Sequence, residues 1–348
     1  MKHFIKNTLL LSVLGLVSLG VNAQKYIDVC GTRWALGNLQ YDATASGENY
    51  FQSHWKMASN QWEYFNPVSG ISAQEITQSA DQLDHFCWGV VGDYATDGES
   101  VSNALSSYDN ISNGLDISGK LYSDDCITRY TNADRFNNSS IKYGDLAYWA
   151  TKGQYRLPNR SELATLINEA NWQLGYYKAT DSNNNQLDIY GYLFTTPSSS
   201  RTTSNTAIQF YDDDLASGLF LPLAGRGVMT SKRVGERGYY LTSGYYPESE
   251  DLSAGLTDVV SLIRLDTNAA QWSFWSPDYG CSIRGVMNFI WGDANGDWKV
   301  DISDLISIIN YILGETTEIN SEAADLSQDG TIGMTDIISE LNLLLGQE

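Results

Sequence analysis

Basic residues are scarce in this chain of 348 residues. There are 21 Lys and Arg against 42 Asp and Glu, which gives a formal net charge of −21 at pH 7. An acidic surface repels the phosphate backbone of DNA and RNA. The composition therefore argues against nucleic acid as a partner.

The sequence also lacks the short motifs that carry well-known chemistries. It has no His-Glu-x-x-His, no Gly-x-Ser-x-Gly, no phosphate-binding glycine loop and no Cys-x-x-Cys, which are typical of zinc, acyl-transfer, nucleotide and redox sites. His54 and His85 are the histidines beyond the N-terminus, and each stands close to aromatic residues. Either could act as a general base, but both are more typical of structural histidines. No catalytic residue is assigned.

Two acidic groups remain as candidates for a glycosidase pair. They are Asp212-Asp213-Asp214 and the group of Glu248, Glu250 and Asp251. The two carboxylates of a glycosidase lie about 5–9 Å apart, and the sequence does not place these groups relative to one another. Solvated loop acids are the interpretation that we prefer.

Long apolar runs are absent apart from one at the N-terminus. Basic residues in Met1-Lys2-His3-Phe4-Ile5-Lys6 precede an apolar run over 9–21, and Val21-Asn22-Ala23 ends in a small residue. This order predicts a signal peptide over 1–23, with a buried N-terminal helix as the alternative. The run is too short to span a bilayer comfortably, and no later stretch reaches transmembrane length. We therefore expect a secreted or extracellular mature protein that starts near Gln24.

Cysteine is limited to four residues, Cys30, Cys87, Cys126 and Cys281. None has the short spacing of a zinc or redox motif. An even number in an exported protein predicts two disulfides, in one of three pairings. Free buried thiols are the alternative, because a domain of this length does not need disulfides for stability.

What the sequence does contain is a pair of acidic 12-residue segments that begin 32 residues apart, at Asp293 and Asp325. Ca²⁺ takes six to eight oxygen ligands at about 2.4 Å, and a 12-residue loop supplies them from positions 1, 3, 5, 7, 9 and 12. Position 7 needs only its backbone carbonyl, and position 9 can act through water. A solvated acidic turn is the alternative, but oxygen ligands recur at this spacing twice. We therefore predict two calcium sites, whose candidate ligands are Asp293, Asn295, Asp297, Lys299, Asp301 and Asp304 in the first loop and Asp325, Ser327, Asp329, Thr331 and Asp336 in the second.

The sixth position distinguishes the two loops. The chain turns sharply there with positive φ, which favours glycine. The second loop has Gly330, but the first has Trp298. The sequence therefore predicts weaker calcium binding in the first loop.

Each loop is followed by apolar residues at helical spacing, which end at Gly314 and Gly346. No comparable helix precedes the first loop. Each unit is therefore half of an EF-hand, and two such halves can pack together. Residues 292–348 resemble a type I dockerin, which implies a cohesin-type partner and a small all-α module.

The dockerin resemblance also implies a contact face at loop positions 10 and 11 and along the following helix. These positions are Ile302 and Ser303 in the first copy and Met334 and Thr335 in the second. Near two-fold symmetry between the copies would allow two binding orientations. The alternative is that Ile302 and Met334 complete the core of the module itself.

The region 24–288 is predicted to be one α+β domain with short strands and long loops. Strand-like runs lie at 219–223, 239–243, 259–265 and 282–286, and a helix is predicted after Pro158 with Asn159 or Ser161 as its cap. Residues 145–149 read as the tail of an earlier helix. The segment 99–144 is predicted to be a long surface insertion.

Several short blocks of this region resemble the Fibrobacter major paralogous family of secreted bacterial domains. They start at Tyr26, Phe86, Arg156, Phe220, Gly238 and Ser282, in the order of the family, and only the Arg156-Leu157-Pro158 block is fairly specific. The resemblance implies a C-type-lectin-like fold, related to formylglycine-generating enzymes, in which the blocks are mostly structural. Those enzymes use two cysteines close in sequence, which this chain lacks. The Glu-Pro-Asn and Gln-Pro-Asp tripeptides of calcium-dependent lectins are also absent.

We therefore expect a secreted, non-catalytic binding and assembly protein with a lectin-like module and a dockerin. A glycan is a candidate ligand, because exposed aromatic rings stack on sugars, although most aromatic residues in such folds fill the core. The alternative function is a polysaccharide hydrolase attached to a cellulosome-like assembly. A structural scaffold without a small ligand is a third hypothesis. The aromatic candidates are Trp55, Trp62, Tyr64, Trp172, Trp272 and Trp275.

Overall fold

The chain divides into two compact units in a computed structural model. The large unit covers Tyr26–Met287, and the small unit contains Asn288–Glu348. The predicted signal peptide, the side chain of Cys126, Glu248, Glu250, Asp251 and most of the predicted insertion lie outside the described residues. The structure describes residues 26–45, 51, 54–79, 81–91, 122–123, 126–127, 130–132, 142–227, 230–246, 259–275 and 279–346.

Helices are short in the large unit, and the two longest helices of the described residues lie in the small one. Three belong to each unit within the described residues. In chain order they are α1 (Leu146–Ala150), α2 (Arg160–Asn168), α3 (Asp212–Ser217), α4 (Ile302–Ile312), α5 (Ser321–Ala324) and α6 (Met334–Leu345).

The strands of the described residues all lie in the large unit. In chain order they are β1 (Tyr26–Val29), β2 (Thr32–Ala35), β3 (Leu39–Asp42), β4 (Trp55–Met57), β5 (Gln74–Thr77), β6 (Gln82–Leu83), β7 (Val90–Val91), β8 (Tyr122–Ser123), β9 (Cys126–Ile127), β10 (Tyr130–Asn132), β11 (Lys142–Gly144), β12 (Tyr155–Arg156), β13 (Asn171–Thr180), β14 (Gln186–Thr195), β15 (Thr203–Phe210), β16 (Leu219–Pro222), β17 (Thr230–Val234), β18 (Gly238–Tyr246), β19 (Val259–Leu265), β20 (Ala270–Trp275) and β21 (Val286–Met287).

The large unit is built from several small sheets. The two most extensive have the orders β15-β13-β14-β16 and β20-β19-β18-β9-β8, and another has the order β1-β2-β21-β12. In that last sheet the first and last strands of the unit both pair with β2. The unit thus contains mostly strands with few helices, which confirms a mixed architecture. The lectin-like fold itself stays a prediction.

The Arg-Leu-Pro block holds a helix in place. Asn159 and Glu162 form a reciprocal capping box at the start of α2. The Glu162 carboxylate also accepts two hydrogen bonds from Arg156, at 2.6 and 2.8 Å. Asp145 accepts from the backbone N–H groups of Leu157 and Tyr148, so it caps the beginning of α1. Residues 145–149 therefore begin a helix rather than end one, and the block is structural.

A second block contains a buried cation. The Arg284 side chain is fully buried and donates to Asn38 Oδ1 at 2.9 Å and to the backbone carbonyl of Gln61 at 2.8 Å. Of the strand predicted at 282–286, only Val286 lies in a strand, and Ser282 forms an isolated bridge with Tyr240. The buried Arg284 side chain lies between them. The strands predicted at 219–223, 239–243 and 259–265 correspond to β16, β18 and β19.

The cysteines do not show the expected bonds. Cys87 and Cys281 are buried in the apolar core, whereas Cys30 lies half-buried in the turn after β1. No disulfide joins any two of these three residues in the described part of the chain. Two disulfides among four cysteines need at least one such bond, so the structure does not bear out that expectation.

The small unit packs α4 against α6. Its core consists of Ala294, Ile308 and Ala324, with partly buried apolar residues around them. The short helix α5, capped by Asn320, was not predicted, because four residues show no periodicity. Across the described residues, no helix has both the length and the apolar character needed to cross a membrane.

Candidate metal centre and docking face

The two acidic loops fold in the same way. The carboxylate of Asp304, at position 12, accepts hydrogen bonds from the backbone N–H groups of Asn295 and Asp301, at 3.0 and 2.9 Å. Asp336 accepts from the two corresponding N–H groups of the second loop, at 2.9 and 2.8 Å. Each position-12 aspartate therefore ties the beginning of its loop to the following helix.

The position-1 aspartates close the front of each loop. Asp293 accepts from the N–H groups of Asp297 and Trp298, both at 2.9 Å. Asp325 accepts from the corresponding groups of the second loop, at 3.2 and 2.9 Å. Asp297 and Asp329 in turn accept from the N–H group two residues further on, at 3.0 and 2.8 Å. The loops are therefore duplicated in backbone shape as well as in sequence.

Few basic residues balance the negative charge of the loop carboxylates. Asp293, Asp304 and Asp336 are buried, and Lys299 is the one basic residue among the seven Asp and five Glu from 293 onward. Burial raises the pKa of both Asp293 and Asp304, and the charges of neighbouring loop aspartates add to the rise. Buried carboxylates need a cation or hydrogen bonds to be tolerated.

Calcium fits this donor set. A carboxylate has about four lone-pair sites, so the hydrogen bonds to backbone N–H groups leave each oxygen able to take a metal. No three acidic, His or Cys side chains already converge on one point within the described residues. The loops supply hard oxygen donors at positions 1, 3, 5 and 12, which calcium would draw together when it binds.

The remaining predicted ligands fall into different situations. Lys299 and Thr331, at position 7, have exposed side chains, as expected where only the backbone carbonyl is used. Asp301, at position 9, caps α4 by accepting from the N–H of Ser303 at 2.8 Å. Gly333, its counterpart, has no side chain to do so. Position 9 is therefore the one where the loops differ most in chemistry.

Each loop has two residues in the left-handed backbone region, at positions 4 and 6. In the first loop these are Gly296 (φ 76°) and Trp298 (φ 68°). In the second loop they are Gln328 (φ 58°) and Gly330 (φ 85°). Each loop thus has one glycine where two would be favourable. The expected weakness of the first loop rested on position 6 alone, and Gln328 places a comparable cost on the second loop.

Replacing Gln328 with glycine should therefore stabilise the calcium-loaded small unit. A left-handed conformation costs a non-glycine residue roughly 1–2 kcal/mol, and glycine loses about 0.5–1 kcal/mol through chain entropy. We expect a net gain of about 0.5–1 kcal/mol in the free energy of unfolding. Urea-dependent hydrogen exchange of the α6 amides in the full chain measures it. Lys299→Gly, at a position outside the left-handed region, is the matched control and should lose stability. A Gln328→Gly variant no more stable than the unmodified chain would contradict the strain argument.

The predicted contact residues lie at the surface. The side chains of Ile302 and Met334 are 58% and 67% exposed, so they do not complete the module's core in the structure. Thr335 is exposed as well, whereas the Ser303 hydroxyl donates to Asp301 at 2.7 Å. The side chains of Ile302 and Met334 are therefore exposed to solvent beside the loops.

These two residues begin longer apolar stripes. Each stripe follows helical positions i, i+4, i+7 and i+11, and each member of the first stripe has an apolar counterpart 32 residues on. All members are exposed except Ile309, which is half-buried. We call the two sets together the docking face. It consists of Ile302, Ile306, Ile309 and Leu313 on the first copy and Met334, Ile338, Leu341 and Leu345 on the second.

The large unit places the other candidates differently. Trp55 and Tyr64 are buried in its core, and Trp62, Trp172, Trp272 and Trp275 are half-buried. His85 is buried, and its Nδ1 atom lies 3.0 Å from Asp84 Oδ1. The His54 ring forms a hydrogen bond with the backbone carbonyl of Ala45. Both contacts are typical of structural histidines.

An open pocket of about 460 Å³ lies at one end of the β13–β15 sheet. Tyr211 on its rim is exposed, and the Tyr177 hydroxyl donates to Asp212 Oδ1 at 2.7 Å. Asp213 also lines it. The sequence identified the three aspartates at 212–214 as candidates, but it did not predict that Tyr211 and Tyr177 line the same pocket as Asp212 and Asp213.

Comparison with known proteins assigns the C-terminal segment. No curated protein and no solved structure matches the chain. Residues 291–339 match the dockerin type I domain, and that stretch contains both loops and α4. The segment is therefore a type I dockerin, a calcium-binding module that docks onto cohesin-type partners.

Proposed function

We propose that this chain is a secreted, non-catalytic assembly protein. Its dockerin attaches residues 24–288, a ligand-binding module, to a cohesin-type partner when calcium is bound. The observation that carries the proposal is the exposed apolar stripe on each copy, because most large apolar side chains of a monomeric protein are buried and exposed apolar patches often mark binding sites. Ile302, Ser303, Met334 and Thr335 are the contact residues that we assign, and both loops hold calcium.

Calcium supplies the order that the docking face needs. Ile302 and Met334 directly follow position 9 of their loops, and the position-12 aspartates hydrogen-bond back into those loops. Closing a loop therefore fixes the first turn of its helix. The duplication supports two alternative binding orientations, because both copies present an apolar residue beside a hydroxyl side chain at the same place.

The test is binding of the full chain to immobilised type I cohesins in calcium and in excess EGTA. We expect capture in calcium and a loss of at least about 100-fold in affinity with EGTA, since ordering of the loops depends on the metal. Equal capture in both buffers, or capture by none of a broad panel of cohesins, would contradict the proposal.

For the large unit we propose a lectin-like module with a glycan as ligand. The Tyr211 pocket supports it, because an exposed ring beside carboxylate and hydroxyl groups suits sugar stacking together with hydrogen bonding. The alternative is a polysaccharide hydrolase, which the presence of Asp212 and Asp213 at the same pocket favours. A glycan-array screen run beside a hydrolysis screen on plant and host polysaccharides separates the two. Retention without cleavage supports the binding module, and cleavage that is lost in Asp212→Asn supports the enzyme.

A further inference from the structure

Glu340 is a buried carboxylate that neither the loop pattern nor the docking face uses. It lies on α6, 32 residues after Ile308 on α4. Ile308 is fully buried in the apolar core of the small unit, and Glu340 is fully buried as well. An apolar side chain would satisfy packing at this position, as Ile308 does in the first copy. A buried carboxylate is costly unless it is paired.

The surroundings of Glu340 belong to the first loop. A Cβ placed on Gly292, the residue before Asp293, would lie 2.8 Å from Glu340 Oε2, so the carboxylate lies directly against the chain where it enters that loop. Neither carboxylate oxygen has a hydrogen-bond partner within the described residues. The carboxylate thus reaches the first loop from the helix that follows the second.

The electrostatics point to the same place. Asp304 and Asp293 are the charged residues that act on Glu340. These two are positions 12 and 1 of the first loop. Glu340 therefore lies within electrostatic reach of two buried carboxylates of the first loop. The basic residue of this segment, Lys299, has an exposed side chain. A bound cation would compensate the buried negative charge of this region, and its oxygen donors favour a hard divalent cation.

We propose that Glu340 belongs to the first calcium site, where its charge adds to the attraction of calcium and holds α6 against the first loop. This inference rests on calcium binding by the loops. It makes the two sites unequal: the second repeat contributes to the first site, whereas Ile308 gives the second site no such charge. Glu340 is a positioning and electrostatic residue here, and we assign it no direct bond to the metal.

The test is calorimetric titration of calcium into the full chain with one loop disabled at a time. Asp325→Ala leaves the first loop as the reporting site, and Asp293→Ala leaves the second. In the first background, Glu340→Gln should lower calcium affinity roughly tenfold, the equivalent of about one pKa unit. In the second background, the same change should alter affinity less than about twofold. Glu315→Gln, at an exposed glutamate of the same unit, is the matched control and should change neither.

A second readout separates this role from packing. Without calcium, Glu340→Gln and Glu340→Ile should both protect the α6 amides from hydrogen exchange better than the unmodified chain, because a carboxyl group that is ionised in the unfolded chain no longer has to be buried. With calcium, that gain should shrink or reverse for Glu340→Gln. Unchanged affinity of the first loop, or an equal loss at both loops, would overturn the proposal. Failure of the unmodified chain to bind calcium would overturn the proposed function as well, and the first titration shows it.

Discussion

Chelation of calcium from the full chain will expose the backbone amides of α4 and α6 to exchange while the large unit stays protected. The seven aspartates and five glutamates from 293 onward stand against one lysine, and several of the aspartates are buried. Without metal, their mutual repulsion and desolvation oppose folding of the loops, and metal-binding free energy of this kind becomes folding free energy. We expect protection in both helices to fall by at least about 100-fold, which corresponds to roughly 2.7 kcal/mol of local stability.

Hydrogen exchange followed by mass spectrometry, in calcium and in EGTA, measures this effect. The helix α2, which is capped by Asn159 and Glu162, serves as the internal control because no acidic loop precedes it. Equal protection of α4 and α6 in both buffers would show that the small unit folds without metal. Loss of protection in α2 as well would show that EGTA acts on the whole chain rather than on the loops.

Substitution of both Ile302 and Met334 by aspartate will abolish binding to a cohesin-type partner. Both side chains are exposed at the start of their helices, and a carboxylate there would have to be desolvated at the centre of the interface. The single substitutions should each reduce affinity only about twofold, because the other copy can present its face instead. For the double variant we expect a loss of at least about 100-fold.

Surface binding assays on the full chain provide the measurement, with calcium affinity recorded in parallel. Ile208→Asp is the matched control, since Ile208 is an exposed isoleucine of the large unit. Undiminished binding by the double variant would place the contact face elsewhere. A loss of binding in either single variant alone would show that only one orientation is used.

The loops were predictable because ligand spacing is written directly in the sequence. The positions 1, 3, 5 and 12 could be assigned without any tertiary information, and the left-handed conformation of Trp298 followed from its place in the loop. The left-handed conformation of Gln328 was not predicted, because the loop pattern specifies glycine at position 6 and not at position 4. Each loop therefore has one non-glycine residue in the left-handed region, at different positions.

The full extent of the docking face and the burial of Glu340 could not be predicted for a different reason. In α4 the residues Leu305, Ile306, Ile308 and Ile309 are all apolar, so periodicity indicates a helix without saying which side is covered. Burial of Leu305 and Ile308 and exposure of Ile306 depend on the packing of α4 against α6. A glutamate in an amphipathic helix is normally expected to face solvent, and only the fold places Glu340 inside.

In the large unit, too, the sequence does not predict contacts between residues that lie far apart along the chain. Strand β19 was predictable from its run of apolar residues, but its partners β18 and β20 are set by tertiary packing. The bonds of Arg284 to Asn38 and Gln61 join residues more than two hundred positions apart. Such non-local contacts leave no local pattern in the sequence.

The sheet that joins the beginning and the end of the large unit has a consequence for engineering. Because β1 and β21 flank the same strand, the module's two chain ends emerge at neighbouring points of one sheet. Such a module can be inserted into a host loop or circularly permuted with little strain, since closing its termini requires only a short linker. The module can therefore be transferred between proteins. A dockerin fused ahead of Tyr26 would be attached at nearly the same point of the module as one fused after Met287.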